Sequence, residues 1–138
     1  MSTHVETVTR IYEAFGRGDI PTVLDHLADD VAWESWTDNT AATRGVPWMQ
    51  PRQGKAGAAA FFTGLASQLQ VTEFSVLSIM GSGDQVAVEL VIAANVLATG
   101  RSYRDEEMHL WTFDEAGRVT RLRHYADTAK HIVAAGLA

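Results

Sequence analysis

The chain begins with two helical patterns of apolar residues. Apolar side chains recur three or four positions apart at Val5, Val8, Ile11, Tyr12 and Phe15. This spacing predicts an amphipathic helix over residues 4–16, ending at the glycines of 16 and 18. Asp19 follows as a good N-cap and predicts a second, shorter helix that turns Val23, Leu24 and Leu27 inward.

The pattern then changes from helical to alternating. Val31, Trp33 and Ser35 alternate with two other residues and predict a short strand. Residues 36–54 carry several glycines, prolines and polar breakers, so we expect an irregular stretch. Such a stretch is usually a functional lid or a mobile loop, and its Trp36, Trp48 and Met49 favour a loop folded over something apolar.

The second half of the chain is strand-rich. A third helix is predicted over about residues 56–69, and strands over 71–80, 85–97, 103–113 and 118–126. Short turns containing glycine separate these strands, which indicates an antiparallel meander. A last short helix starts near Asp127 and ends near Gly136. Helices followed by strands predict an α+β fold in one domain, residues 1–138, with helices on one face of a curved antiparallel sheet.

Composition narrows the class of protein. The 138 residues are 46% apolar and 20% charged, as in an ordinary globular domain, and the net charge is −6. An acidic chain without a basic stripe is not expected to bind nucleic acid. There is no cysteine, which removes disulfides and thiolate chemistry. Without a signal-like or membrane-spanning apolar run, we expect a cytoplasmic protein that does not bind membranes.

Strand alternation assigns the last two strands to two faces. If Asp114 pairs with Gly117 across the final turn, Glu107 lies opposite His124 and His109 opposite Leu122. One face then carries Glu107, His109, Trp111, Thr120, Leu122 and His124, and the other carries Met108, Leu110, Val119, Arg121, Arg123 and Tyr125. A bulge at Gly117 would instead separate the two histidines.

The arginines decide which face is inward. Helices in this order cover one face of the sheet, and a face with two arginines is expected to meet solvent or another subunit. His109 and His124 therefore point inward, where an imidazole must find a partner or take part in chemistry.

Four stretches carry a family resemblance: "IYEAFGRGD" at 11–19, "HLADDVAWES" at 26–35, "TG" at 99–100 and "MHLWTFDEAGRVTRLRHYAD" at 108–127. With these, the chain resembles the nuclear-transport-factor-2-like superfamily and, within it, the SnoaL-like polyketide cyclases and their relatives. The resemblance implies an α+β cone whose curved sheet and three helices enclose a deep apolar pocket. It also implies a homodimer formed through the sheet.

The resemblance also suggests roles for individual residues. His124 lies at the position of the acid/base aspartate of the cyclases, and His109 matches a cyclase histidine and the oxyanion-hole acid of ketosteroid isomerases. Tyr12 matches the oxyanion-hole tyrosine of those isomerases. Three positions depart from the related enzymes: Ser35 replaces the isomerase base, and Leu90 and Ile92 replace the Arg and Asp of the epoxide hydrolases.

Each catalytic candidate has a structural alternative. His124 could be a general base or a core histidine bonded to a backbone carbonyl or to Tyr125, and His109 could polarise a carbonyl or be a half-buried strand residue. Tyr12 could line the pocket or belong to the core. Asp127 is a further catalytic candidate and also a good N-cap.

The pocket wall is the second group of candidates. Glu107 could hold the tautomer of either histidine, or belong to a solvated acidic strand end with Asp105 and Glu106. Binding candidates on the wall are Trp33, Ser35, Leu90, Ile92, Glu107, Trp111 and Leu122. His4, His26 and His131 fall on helical segments among mostly polar neighbours and receive no role. No pair of histidines has metal-ligand spacing with a third ligand nearby, so no metal is expected.

Two functions from different classes remain. The first is a cofactor-independent enzyme that isomerises or cyclises a small, largely apolar, polyketide-like carbonyl compound, with His124 as base and His109 and Tyr12 stabilising the enolate. The second is a ligand-binding or dimerisation module that holds an apolar molecule without converting it. The fold alone supports both.

Overall fold

The computed structural model describes residues 3–35 and 38–138, and at Glu34 and Ser35 it describes the backbone. The helices are α1 (Thr3–Gly16), α2 (Ile20–Asp25), α3 (Thr40–Thr43), α4 (Gly54–Gln68) and α5 (Thr128–Ala134). The strands are β1 (Leu27–Ser35), β2 (Arg52–Gln53), β3 (Leu69–Ser82), β4 (Gln85–Val96), β5 (Ser102–Phe113) and β6 (Val119–Tyr125). The predicted α+β class is therefore confirmed, with a one-turn helix added to the three expected in the first half.

The six strands form one sheet in the order β2-β1-β6-β5-β4-β3. The pairs β3–β4, β4–β5 and β5–β6 are antiparallel, as the predicted meander requires. β1, however, runs parallel to β6, so the sheet is mixed rather than antiparallel throughout. The two strands are joined through most of the chain, and a connection of that length permits parallel pairing.

The predicted register between β5 and β6 was wrong by two residues. His109 lies opposite His124 and Trp111 opposite Leu122, whereas Phe113 lies opposite Val119. One residue of the shift comes from the turn and the other from an irregularity next to Phe113. Because side chains alternate with a period of two, a two-residue shift leaves the histidines on the same face.

The predicted face of Val119 was wrong because of this irregularity. We expected this side chain on the outward face, but it is fully buried opposite Phe113, because the extra residue in β6 reverses the alternation at this point. On the rest of the arginine face, Tyr125 is exposed, as predicted, and Arg121 and Arg123 are half-buried.

The segment predicted as irregular contains short elements. It holds α3, the 3-10 turn Pro47–Met49 and β2. Asn39 starts α3 by accepting a hydrogen bond from the backbone N–H of Ala42 at 2.8 Å. Trp48 and Met49 are buried, as expected for a segment folded over apolar groups, while Trp36 lies outside the described residues.

The core lies between the helices and the inward face of the sheet. It includes Val8 and Ile11 of α1 and Val86, Val88 and Leu90 of β4. Within the described part of the chain, no helix combines the length and apolarity needed to cross a membrane.

Removing a core side chain of β4 should destabilise the fold strongly. Leu90 is completely buried, so Leu90→Ala is expected to lower the free energy of unfolding by about 2–5 kcal/mol. Leu77→Ala is the matched control, because Leu77 is 56% exposed and its loss should change stability by at most about 0.5 kcal/mol. Urea denaturation of both variants measures the difference, and equal losses would contradict the burial of Leu90.

Candidate active site

A cavity of ≈ 100 Å³ lies between α1, α4 and the concave face of the sheet. Most of its wall is aromatic or aliphatic, and its polar groups come from Tyr12 on α1, from Gln50 and from side chains of β5, β6 and α5. Eight of the residues selected from sequence line it: Tyr12, Trp33, Ile92, Glu107, His109, Trp111, Leu122 and His124. The inward face predicted from strand alternation is therefore a cavity wall.

Two of the selected residues, Leu90 and Asp127, lie outside this wall. Leu90 is fully buried and belongs to the core rather than to the wall, although it shares a face with Ile92. Asp127 was expected with the catalytic residues, but it is exposed at the start of α5 and is not part of the wall. Its side chain forms no capping hydrogen bond, and its backbone N–H donates to Asp105 at 3.2 Å. The side chain of Ser35 lies outside what the structure describes.

His124 and Glu107 form a buried dyad. Nε2 of His124 lies 2.7 Å from Oε1 of Glu107, whose side chain is 3% exposed. Burial raises the pKa of Glu107, but the charge of protonated His124, its hydrogen bond and the contact with His131 outweigh burial and hold this pKa well below its usual range. Glu107 is therefore an acceptor, so His124 donates from Nε2, and the neutral ring of His124 has its lone pair on Nδ1.

His109 and Tyr12 form a second pair in the same cavity. Nδ1 of His109 lies 2.5 Å from the Tyr12 hydroxyl, which also accepts the indole N–H of Trp111 at 3.1 Å. Burial, with repulsion from His124 when it is protonated, lowers the pKa of His109 to about 3. Burial also raises the pKa of Tyr12 far above its ordinary value. Both side chains are therefore neutral at physiological pH.

The neutral pair retains one free donor in either tautomer. If the Tyr12 hydroxyl donates to His109, the imidazole proton is on Nε2 and is free. If His109 donates from Nδ1, the hydroxyl proton of Tyr12 is free instead. His124, the candidate base, thus lies opposite His109 on the neighbouring strand. The pair of His109 and Tyr12 has one O–H or N–H group that is not bonded within the pair.

Sequence reasoning missed a group of buried residues next to this dyad. His131, to which we gave no role, is 1% exposed, and its Nε2 lies 2.9 Å from Asp105 and 3.0 Å from Glu107. Its Nδ1 accepts the indole N–H of Trp48 at 2.8 Å. Asp105 is buried as well, so the solvated acidic strand end is the wrong description of this part of β5.

Part of this group could have been found from sequence. The alternation that turned Glu107 inward also turns Asp105 inward, with exposed Arg104 and Glu106 on the other side. His131 precedes buried Ala134 by one helical turn, which places both on the same face of α5. No local pattern indicated that Trp48 would meet His131, since 83 residues separate them.

Two sets of side chains have the chemistry of a metal site. In each set, Glu107–His109–His124 and Asp105–Glu107–His131, the donor atoms lie within 4.8 Å of one another. Spacing along the sequence did not indicate either set. Their donors also bond to one another or to Tyr12 at 2.5–3.0 Å, so an ion would have to replace those bonds.

With this site in place, comparison with known proteins shows the class of the chain. The profile of the SnoaL-like domain family matches residues 8–122. The chain belongs to the SnoaL-like domain family, within the nuclear-transport-factor-2-like fold that the sequence suggested. None of the proteins with curated functions matches the chain.

Solved structures of the same fold cover nearly the whole chain. An NTF2-like protein of unknown function from Burkholderia pseudomallei K96243 is 27% identical, with a TM-score of 0.83 over 97% of this chain and 98% of that chain. TerC, co-crystallized with polyporic acid, is 22% identical, with a TM-score of 0.81 over 98% and 99%. A candidate polyketide cyclase from Pseudomonas putida KT2440 is 21% identical, with a TM-score of 0.71 over 97% and 98%.

His109 should stay neutral throughout the physiological pH range. Its pKa of about 3 in the folded protein lies below the ordinary value of about 6.5 expected in the unfolded chain. Its contribution to stability is therefore complete above pH 6.5 and is lost as the pH falls toward 3. NMR of the ring protons should show no His109 titration between pH 8 and 5, whereas the urea-unfolded protein titrates near 6.5. A folded-state midpoint near 6.5 would contradict the burial of this ring.

Proposed function

We propose that this protein is a cofactor-independent enzyme that removes a proton next to the carbonyl group of a small, largely apolar compound. One observation carries the proposal: an anion-supported imidazole, His124, lies beside the neutral donor pair His109–Tyr12 in one mostly apolar cavity. Isomerisation or cyclisation of a polyketide-like carbonyl compound needs this combination, because a base must act while a donor stabilises the enolate oxygen.

His124 is the base in this proposal. Its Nδ1 accepts the substrate proton, and Glu107 stabilises the imidazolium that results without taking the proton itself. Carboxylate, imidazole and substrate then have the same relation as the buried aspartate, histidine and reacting group of a serine protease triad. The proton returns from Nδ1 to another carbon or to the oxygen of the substrate, so the net reaction needs no cofactor.

The His109–Tyr12 pair supplies the donor. As negative charge develops on the substrate oxygen, the free N–H or O–H of the pair can bind it in surroundings with little water. Removal of one such donor typically costs about 10²- to 10³-fold in rate. Neutrality of both groups suits this role, because neither loses its proton near pH 7.

The volume of the cavity limits the substrate. A cavity of about 150 Å³ in another protein accommodates benzene, and this one measures ≈ 100 Å³. Because it is smaller than the benzene cavity, its size supports a short-chain or small-ring compound rather than a polycyclic precursor. TerC, which has the same fold, was co-crystallized with polyporic acid, and this supports an organic compound as the ligand.

Exchange of carbonyl α-protons in D₂O tests the proposal without knowledge of the natural product. We expect the protein to accelerate deuterium incorporation into a small ketone such as butanone or cyclopentanone, as followed by proton NMR. His124→Gln should reduce the catalysed rate by about 10²- to 10⁴-fold, because the amide has no basic lone pair.

A control variant and a binding measurement make that test decisive. His26→Gln changes a histidine at the end of α2, outside the cavity, and should exchange at the parent rate. Ketones that bind in the cavity, with exchange no faster than in buffer, would contradict the enzyme and favour the non-catalytic binding module.

We also propose a homodimer formed through the outward face of the sheet. Met80 and Tyr125 are 53% and 37% exposed, and pairing places them on the same face as Met108 and Leu110. Sedimentation should give about twice the 15.0 kDa chain mass. Met80→Glu should shift the population toward monomer, whereas Glu13→Gln, at an exposed position on α1, should not; a monomeric parent would contradict the proposal.

A further inference from the structure

The dyad of His124 and Glu107 continues into a buried network formed by Glu107, Asp105, His131 and Trp48. His131 bridges the two carboxyl groups through Nε2, at 2.9 Å from Asp105 and 3.0 Å from Glu107. Trp48, from the turn Pro47–Met49, binds the other ring nitrogen at 2.8 Å. The network therefore links a turn in the segment 36–54 to the proposed base on β6.

The indole group determines where His131 carries its proton. An indole N–H can only donate, so Nδ1 of His131 must accept and cannot be protonated while Trp48 is bound. The ring proton is then on Nε2, shared between Asp105 and Glu107. His131 is neutral in this arrangement, and Glu107 retains a negative charge that acts on His124 through the 2.7 Å hydrogen bond.

Two influences on a second proton at His131 oppose each other, since the neighbouring carboxyl groups favour it and the indole N–H at Nδ1 disfavours it. Burial lowers the pKa of His131, but its hydrogen bonds to Asp105 and Glu107 and their charges outweigh burial and raise it. Burial and the neighbouring Glu107 raise the pKa of Asp105. The other titratable groups facing His131 are Tyr103, whose tilted ring has its centroid 4.4 Å from that of His131, and His124, at 6.5 Å.

Charged groups near α5 do not replace the indole. The Lys130 ammonium donates to the backbone carbonyl of Arg104 at 2.7 Å, and the Arg44 guanidinium donates to the carbonyl of Leu137 at 3.2 Å. Both are exposed, and neither contacts the ring. Among the described residues, Trp48 is the donor at Nδ1 of His131.

We propose that His131 is a positioning residue that sets how readily His124 accepts a proton, and that the turn Pro47–Met49 controls it through the indole N–H of Trp48. This inference rests on the proposed function, in which His124 is the base. With Trp48 bound, His131 is neutral and Glu107 supports a proton on His124. With Trp48 displaced, His131 becomes an imidazolium, which neutralises Glu107 and repels a proton on His124.

Trp48→Phe tests the proposal because it keeps a ring beside Tyr103 and removes the N–H. The ¹⁵N shifts of His131 near pH 7 should change from the neutral pattern, protonated on Nε2, to the doubly protonated pattern. The titration midpoint of His124 should fall by about one pH unit, the order expected for a unit charge at this distance. The acid limb of the exchange rate against pH should move by the same amount.

Two further variants separate control through His131 from a general loss of packing. Trp33→Phe removes a similar volume from the same cavity wall but lies outside the network, so the midpoint of His124 should not move. His131→Gln retains a donor toward the carboxyl groups and cannot become charged. In that background, Trp48→Phe should no longer shift His124.

The wild-type protein provides a measurement that needs no variant. Its His131 should show the neutral ¹⁵N pattern at pH 7, and a doubly protonated ring would overturn the proposal even if Trp48→Phe does not fold. An unchanged His124 midpoint in folded Trp48→Phe would also overturn it. If the His124 midpoint shifts but no ketone exchanges deuterium, the proposed function fails and the coupling through His131 stands. If a ketone exchanges but the His124 midpoint does not shift, the proposed function stands and the coupling fails.

Discussion

The site depends on one buried negative charge, the carboxylate of Glu107. An ion without partners in an apolar interior would be very costly, and breaking a buried pair typically costs about 3–5 kcal/mol. Glu107 avoids this cost because each of its oxygens has a histidine donor, His124 on one and His131 on the other. The same two hydrogen bonds orient the imidazole rings of His124 and His131. The hydrogen bonds that stabilise the Glu107 carboxylate therefore also position the candidate base.

The two halves of the site differ in how burial acts on them. Burial keeps His109 and Tyr12 neutral, since each would lose hydration on becoming charged and neither has a sufficient counter-charge. Next to them, the carboxylate of Glu107 stabilises a positive charge on His124. A base that can become charged and a donor that stays neutral are therefore neighbours in the same cavity, whose wall is mostly aromatic or aliphatic.

Much of the fold could be predicted from the sequence, because its signals are local. Helical spacing in α1, the cap at Asp19 and the glycine turns between strands each depend on residues close together in the chain. The inward placement of Glu107, His109 and His124 followed from alternation, and it survived a two-residue error in register because alternation has a period of two. Val119 was misplaced because a bulge next to the turn has no clear local signal.

The sequence by itself determined the α+β class, the SnoaL-like family and the face of the sheet on which the histidines lie. These properties depend on periodicity and on matching stretches, which can be read along a single chain. Tertiary structure alone decided that His131 and Trp48 meet Glu107 and that β1 runs parallel to β6. The physical reason is that such contacts join residues far apart in the chain, where the choice of partner depends on how the helices and the segment 36–54 pack on the sheet.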